Sequence, residues 1–150
     1  MDYRYTECGL DNVMISNMKV ITDDAGEEVY SIPNVMGLHK LIARCIVSHN
    51  NAISPKELRF LRTEMGLTQQ QLGEIVKKDH QTIGRWERGE VPLDATAELV
   101  IRLLAEERLD LQTDIPVAEL AKRCVPSAEF QVIRIDGRNP KNYKPMRVAA

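Results

Sequence analysis

The amino-acid sequence predicts a mainly α-helical protein with small β elements, an α+β chain, on three observations. Residues 53–112 place apolar side chains at helical spacing between capping signals. Apolar runs between Val13 and Ile32 are split by a turn-rich connector, and a strand-like run, Phe130 to Ile135, stands near the C-terminus. With 150 residues, 43% of them hydrophobic, the chain is long enough to bury a core. No segment approaches the roughly 18 consecutive apolar residues of a membrane span, and the N-terminus lacks the apolar run of a signal peptide, so a cytoplasmic protein without membrane contact is expected. The cysteines Cys8, Cys45 and Cys124 are odd in number and far apart, which predicts reduced thiols rather than a disulfide framework, and no metal or cofactor.

Three segments are expected: a small β-β-α unit over 1–52, a helical domain over 53–112, and a helix/strand extension with a basic tail over 113–150. In the first, Val13–Ile21 and Val29–Ile32 flank Thr22-Asp23-Asp24-Ala25-Gly26-Glu27-Glu28 and predict a hairpin. A helix then follows Pro33-Asn34, with Val35, Leu38, Leu41, Ile42, Cys45 and Ile46 on its apolar face. Ser54-Pro55-Lys56-Glu57 is a helix start: a hydroxyl for the free N–H groups, proline where no N–H is needed, and a carboxylate at the positive helix end. Leu58, Leu61 and Met65 form the buried stripe before Gly66. Thr68 with Gln71 makes a capping box for the next helix, whose core residues are Leu72, Ile75 and Val76. Lys77-Lys78 forms a turn, Asp79 caps a third helix anchored by Ile83 and Trp86, and Gly89 ends it. Pro92-Leu93-Asp94 opens a longer helix to about Leu109, with Ala97, Val100, Ile101, Leu104 and Ala105 inside. A short helix is expected after Pro116.

The two helices around Lys77-Lys78 carry the chemistry. A helix that enters the DNA major groove keeps apolar side chains beneath and places polar ones on its exposed first turns. His80, Gln81, Gly84 and Arg85 fit the exposed role and are the candidate base readers. Arginine can pair with guanine and glutamine with adenine in bidentate fashion, and glycine lets the backbone come close. Gly84 can equally serve helix packing. Gln69, at a helix N-terminus, with Lys77, Lys78 and Arg88, are candidate phosphate contacts. Arg62 and Glu87 are expected to form a structural salt bridge, Arg62 also serving as a phosphate contact.

The pattern Leu-Arg-x-x-x-Gly-Leu-Thr-Gln-x-x-Leu from Leu61, continuing to Trp-Glu-Arg-Gly at 86–89, resembles the Cro/phage-repressor (XRE) helix-turn-helix family. That resemblance implies a five-helix DNA-binding domain, base contacts at His80, Gln81, Gly84 and Arg85, and a phosphate contact at Gln69. The layout, with a short module ahead of such a domain, is similar to the MqsA-type antitoxins, whose N-terminal module is a zinc knuckle built on Cys-x-x-Cys pairs. Here Tyr5-Thr6-Glu7-Cys8 stands in that place and no second pair follows.

The net charge of −2 hides a gradient. Residues 1–50 hold four Lys/Arg against seven Asp/Glu, 51–112 nine against eleven, and 113–150 seven against four. From position 134 on, Arg134, Arg138, Lys141, Lys144 and Arg147 face only Asp136, which reads as a solvated tail or a phosphate-contacting one. The leading expectation is a homodimeric repressor or autoregulator that reads a palindromic operator in double-stranded DNA, since a single such motif buries too little surface for tight specific binding. The long helix at 94–109, the C-terminal strand at 130–135 and the N-terminal unit are all open as dimer contacts, the strand being favoured because an exposed edge needs a partner. The alternative is an antitoxin that neutralises a small protein partner and regulates its own operon, for which an acidic N-terminal unit suits a basic toxin. An enzyme is not expected, because the three histidines fall in different elements and no phosphate loop or nucleophile–base spacing is present.

Overall fold

The computed structural model describes residues 2–125 and 131–146. It divides into two compact units, Met1–Ile42 with Phe130–Ala150, and Ala43–Glu129. In the first unit, β1 (Tyr3–Arg4), β2 (Val13–Ser16), β5 (Ile133–Asp136) and β6 (Lys144–Pro145) form one sheet in the order β1-β2-β5-β6. β2 and β5 pair in parallel, with Val13 opposite Ile133 and Ile15 opposite Ile135, whereas β1 and β6 run antiparallel to their neighbours. Val13, Ile15, Ile133 and Ile135 share the buried face, with Tyr5, Leu10, Leu38 and Ile42 also in the core.

The hairpin is present, but as a separate two-stranded sheet of β3 (Val20–Thr22) and β4 (Glu28–Tyr30). Asp23 shapes its turn, its Oδ1 accepting the N–H groups of Ala25 and Glu27 at 3.0 and 2.8 Å. The expected strand from Val13 to Ile21 is therefore two strands, because Asn17 at φ 59° turns the chain out of the main sheet. The C-terminal strand lies within the N-terminal unit's sheet, so the anticipated division at residue 52 and residue 113 is not the division the contacts draw. β5 is covered on both edges, which removes the reason for giving it to a dimer. The outer strand β6 is two residues long and holds Lys144 and Pro145, both of which discourage further pairing. Residues 134–146 are thus ordered sheet and loop rather than a loose tail; Phe130 and Arg147 lie outside the described residues.

Helix α1 (Val35–Val47) contains the boundary between the units. Its Leu38, Ile42 and Ile46 are buried as expected, whereas Val35, in its first turn, is exposed. The second unit is helical: α2 (Pro55–Glu64), α3 (Gln69–Val76), α4 (His80–Glu87), α5 (Ala95–Leu109) and α6 (Val117–Arg123). The caps follow the sequence. Ser54 and Glu57 form a capping box, Thr68 and Gln71 another, and Asp79 and Asp94 each accept an N–H of the turn they begin. Leu58, Phe60, Leu61, Leu72, Ile83, Trp86, Ile101 and Ala105 build the core. Ile75 does not join it and stands 38% exposed, since the buried face of α3 is made by Leu72 and Gly73. No helix among the described residues is long and apolar enough to cross a membrane.

The core also contains a charged pair. Glu98 and Arg102, one helical turn apart on α5, are 1% and 0% exposed. Every N–H of the Arg102 guanidinium has an acceptor. Nε donates to Glu98 Oε2 at 3.1 Å, Nη1 to the carbonyls of Val47 and His49 at 3.2 and 2.8 Å, and Nη2 to those of Asn51 and Arg123 at 2.7 and 3.3 Å. Burial pushes the Glu98 carboxyl above its ordinary range, and the Arg102 charge opposes that rise. Removing the cation strands a buried carboxylate and four carbonyls together. Arg102→Ala is expected to lower unfolding free energy in urea by about 3–5 kcal/mol, the range for breaking a buried pair on one side; a loss below about 1 kcal/mol would show the site rehydrates.

Candidate nucleic-acid interface

The recognition geometry is set by how closely α3 and α4 approach. A Cβ on Gly73 would lie 2.4 Å from the Lys78 carbonyl oxygen, so only glycine allows the turn to fold back on α3 there. Lys77 takes the left-handed conformation at φ 63°, and the Gly73 carbonyl accepts the N–H groups of Lys77 and Lys78. Asp79 then caps α4, its Oδ1 accepting the Thr82 N–H at 2.8 Å; that bond holds its carboxyl below the usual range. Ile83 and Trp86 are buried beneath the helix.

On the opposite side His80, Gln81 and Arg85 are exposed together, the exposure the sequence predicted for them. Gly84 is not on the surface with them: it is buried, and a Cβ there would meet Arg88 Nη1 at 2.8 Å and the Gln69 amide at 3.5–3.6 Å. The atoms above it are the ends of flexible side chains, so its cover is movable.

Arg62 and Glu87 form a salt bridge, and its geometry is bidentate. Nε donates to Oε2 at 2.5 Å and Nη2 to Oε1 at 2.9 Å, with Nη1 donating to the Leu67 carbonyl at 2.9 Å. The pair joins α2 to the end of α4; two of the five Arg62 donors are engaged in it and a third in the bond to Leu67. Gln69 Nε2 adds a bond to Glu87 Oε1 at 3.2 Å. Around this pair lies an open depression of about 250 Å³ lined by Arg59, Arg62, Gln69, Gly84, Glu87 and Arg88. Arg59 is the cation that sequence reasoning missed. The signal available was its position three residues before Arg62, on the same face of α2. Arg88 donates to Glu90 at 2.9–3.1 Å in an exposed pair of the weak kind, and Lys77 and Lys78 are exposed on the turn.

The cysteines do not suggest a metal centre. Cys45 and Cys124 are pushed up to about 11 and about 12 by burial, which keeps both as neutral thiols. Tyr5 is 4% exposed and its hydroxyl lies 2.7 Å from His39 Nε2. Among the described residues no group of three or more His, Cys, Asp and Glu side chains could hold a metal ion.

Residues 58–112 match the family model described as helix-turn-helix. This part of the chain is a helix-turn-helix domain of the XRE type, so the protein carries a DNA-binding regulator domain of that family. No curated protein and no solved structure matches the chain.

Two glycine substitutions separate scaffold from surface. Gly73→Ala forces a methyl against a backbone oxygen and is expected to cost on the order of 1–3 kcal/mol of stability. Gly84→Ala meets only movable side chains and gains helix propensity, so its melting temperature should hold or rise while DNA affinity falls. Equal destabilisation of both in thermal melts would show that Gly84 too is a packing glycine.

Proposed function

We propose that the protein is a sequence-specific transcriptional repressor or autoregulator that binds a palindromic operator as a homodimer, with α4 in the major groove of each half-site. The observation that carries this reading is the solvent-facing set His80, Gln81 and Arg85 on the first turns of a helix fixed from below by Ile83 and Trp86. Arg85 and Gln81 supply the bidentate donors suited to guanine and adenine, and Gly84 admits close approach once Arg88 and Gln69 turn toward phosphate. Gln69, Lys77, Lys78, Arg88, Arg62 and also Arg59 are the backbone contacts. Two copies on one face of the duplex would place their half-sites about 34–36 Å apart.

Selection of bound duplexes from a random pool tests this directly. The expected product is an inverted repeat whose half-sites are about one helical turn apart. Arg85→Ala should weaken binding to that sequence by about 1–3 kcal/mol and relax preference at one base position. Recovery of unrelated sequences, or unaltered specificity in Arg85→Ala, would overturn the proposal.

A second reading, in which the chain is also an antitoxin, is favoured by the β3–β4 hairpin. Val20, Ile21 and Val29 are 46%, 44% and 36% exposed on it, and Asp23, Asp24, Glu27 and Glu28 crowd its turn. A two-stranded sheet with its apolar residues in water is marginal alone and suits a small basic partner with an apolar contact surface. If an adjacent gene encodes such a protein, the pair should co-purify, and Ile21→Lys should abolish that while leaving operator binding intact. Retention of the complex by Ile21→Lys would place the contact elsewhere.

A further inference from the structure

The basic residues near the C-terminus form a constructed surface in the first unit. Arg134 and Asp136 lie on the sheet face opposite the buried Ile133 and Ile135. The strand register sets Arg4 beside Met14, Met14 beside Arg134, and Lys144 beside Asp136, so three cations share this face. The β5–β6 loop adds Arg138 and Lys141. That loop is held at several points. The Gly137 N–H donates to the Ser16 carbonyl at 2.7 Å, Lys141 N–H to Asn139 Oδ1 at 3.2 Å, and Asn34 Nδ2 to the Pro140 carbonyl at 2.9 Å, and the Tyr143 hydroxyl bonds the Pro33 carbonyl. A Cβ on Gly137 would come within 2.7 Å of the Ile15 side chain, so the loop leaves the sheet in one tightly packed path.

Five cations, Arg4, Arg134, Arg138, Lys141 and Lys144, are set against two carboxylates. Asp2 lies 3.7 Å from Arg134 and accepts from the Ser16 hydroxyl. Asp136 accepts the Arg138 N–H and Asn17 Nδ2 at 3.0 and 3.1 Å. Over 138–144 the exposed side chains are Arg138, Asn139, Lys141, Asn142 and Lys144, all of them hydrogen-bond donors and none apolar.

We propose that this sheet face and loop form a second binding surface for the phosphate backbone of duplex DNA, independent of sequence. The inference rests on the DNA-reading function proposed above and extends it to a unit outside the helix-turn-helix domain. An acidic protein surface is the poorer fit, because protein interfaces concentrate aromatic and apolar side chains at their centre and are depleted in lysine. Phosphate contacts are made by the side chains present here, arginine, lysine and asparagine. The Ala43–Glu129 unit holds twelve Lys/Arg against fourteen Asp/Glu, so it has no excess positive charge with which to draw in DNA. A fixed loop also loses little freedom on binding, which lets a modest number of contacts count.

The test measures affinity of the full chain for a mixed-sequence duplex of about 40 base pairs as a function of salt. The variant Arg138→Gln/Lys141→Gln/Lys144→Gln should bind about tenfold more weakly near 0.1 M salt, and its slope of log affinity against log salt should be shallower by roughly 2–3. Arg138→Lys should keep the wild-type slope. Arg85→Ala, run in parallel, should lose preference for the selected operator while its slope on the mixed duplex falls by at most about one contact. A folded triple variant with the wild-type slope overturns the second surface and leaves the recognition helix untouched. The same slope with a changed sedimentation coefficient also overturns it, by assigning the patch to self-association. Failure of the wild-type chain to bind any duplex overturns the DNA reading itself.

Discussion

The guanidinium of Arg102 organises the second unit. Its five donors reach Glu98 on its own helix, the last residue of α1, two carbonyls of the connector before α2, and the end of α6. A cation in a dry core is tolerated only when each donor finds an acceptor, so these segments are required to stay where they are. From there the constraint passes outward by direct bonds. His49, whose carbonyl is held by Arg102, places its Nε2 2.7 Å from Glu57 Oε2, and Glu57 Oε1 accepts the Ser54 N–H that begins α2. α2 in turn carries Arg62, which grips Glu87 at the end of α4. A helix offered to a DNA groove is useful only at a fixed angle, and this series of polar contacts supplies the fixing that a small apolar core alone gives weakly.

Much of the helical domain was legible because its signals are local. Ser54 with Glu57, Thr68 with Gln71, Asp79 and Asp94 announce helix starts whatever surrounds them, and each does so here. The shared exposure of His80, Gln81 and Arg85 follows from counting residues after the Asp79 cap. What was not legible depends on contacts distant in sequence. Glu98 and Arg102 look like an ordinary surface pair at i, i+4, and only the convergence of α1, α6 and the connector makes them buried. Ile75 reads as core until the close passage of the Lys78 carbonyl against Gly73 fixes which face of α3 is covered. Pairing of β2 with β5, separated by the whole helix-turn-helix domain, leaves no trace in either strand's pattern, since both alternate as any half-buried strand would.

The electrostatics show why net charge is a poor guide for this chain. At −2 overall, it has no global attraction to a polyanion. Its charges are nevertheless sorted by element: carboxylates in the β3–β4 turn, cations on β5, β6 and their loop, and Arg59, Arg62, Arg85 and Arg88 around α4. Many of the remaining carboxylates near the recognition helix are engaged. Asp79 is committed to a cap, Glu87 to Arg62 and Gln69, and Glu90 to Arg88. These bonds fix where the carboxylates point without removing their charge, and Glu87 and Glu90 offset the very arginines they pair with.

The first unit raises a question of size, because some sixty residues bury little surface and small domains commonly need a metal or a disulfide to hold together. The buried Tyr5 bonds the half-buried His39, and buried thiols elsewhere stay protonated. The closure comes instead from the far end of the chain: β5 adds two isoleucines to the buried sheet face, Asn12 Nδ2 donates to the Gln131 carbonyl at 2.7 Å, and the β5–β6 loop ties back to Pro33 and Asn34. Closure by a returning strand has a kinetic consequence. The sheet cannot complete until the C-terminus is available, so folding of this unit waits on a contact spanning nearly the whole sequence, while the helical unit, built from local contacts, does not.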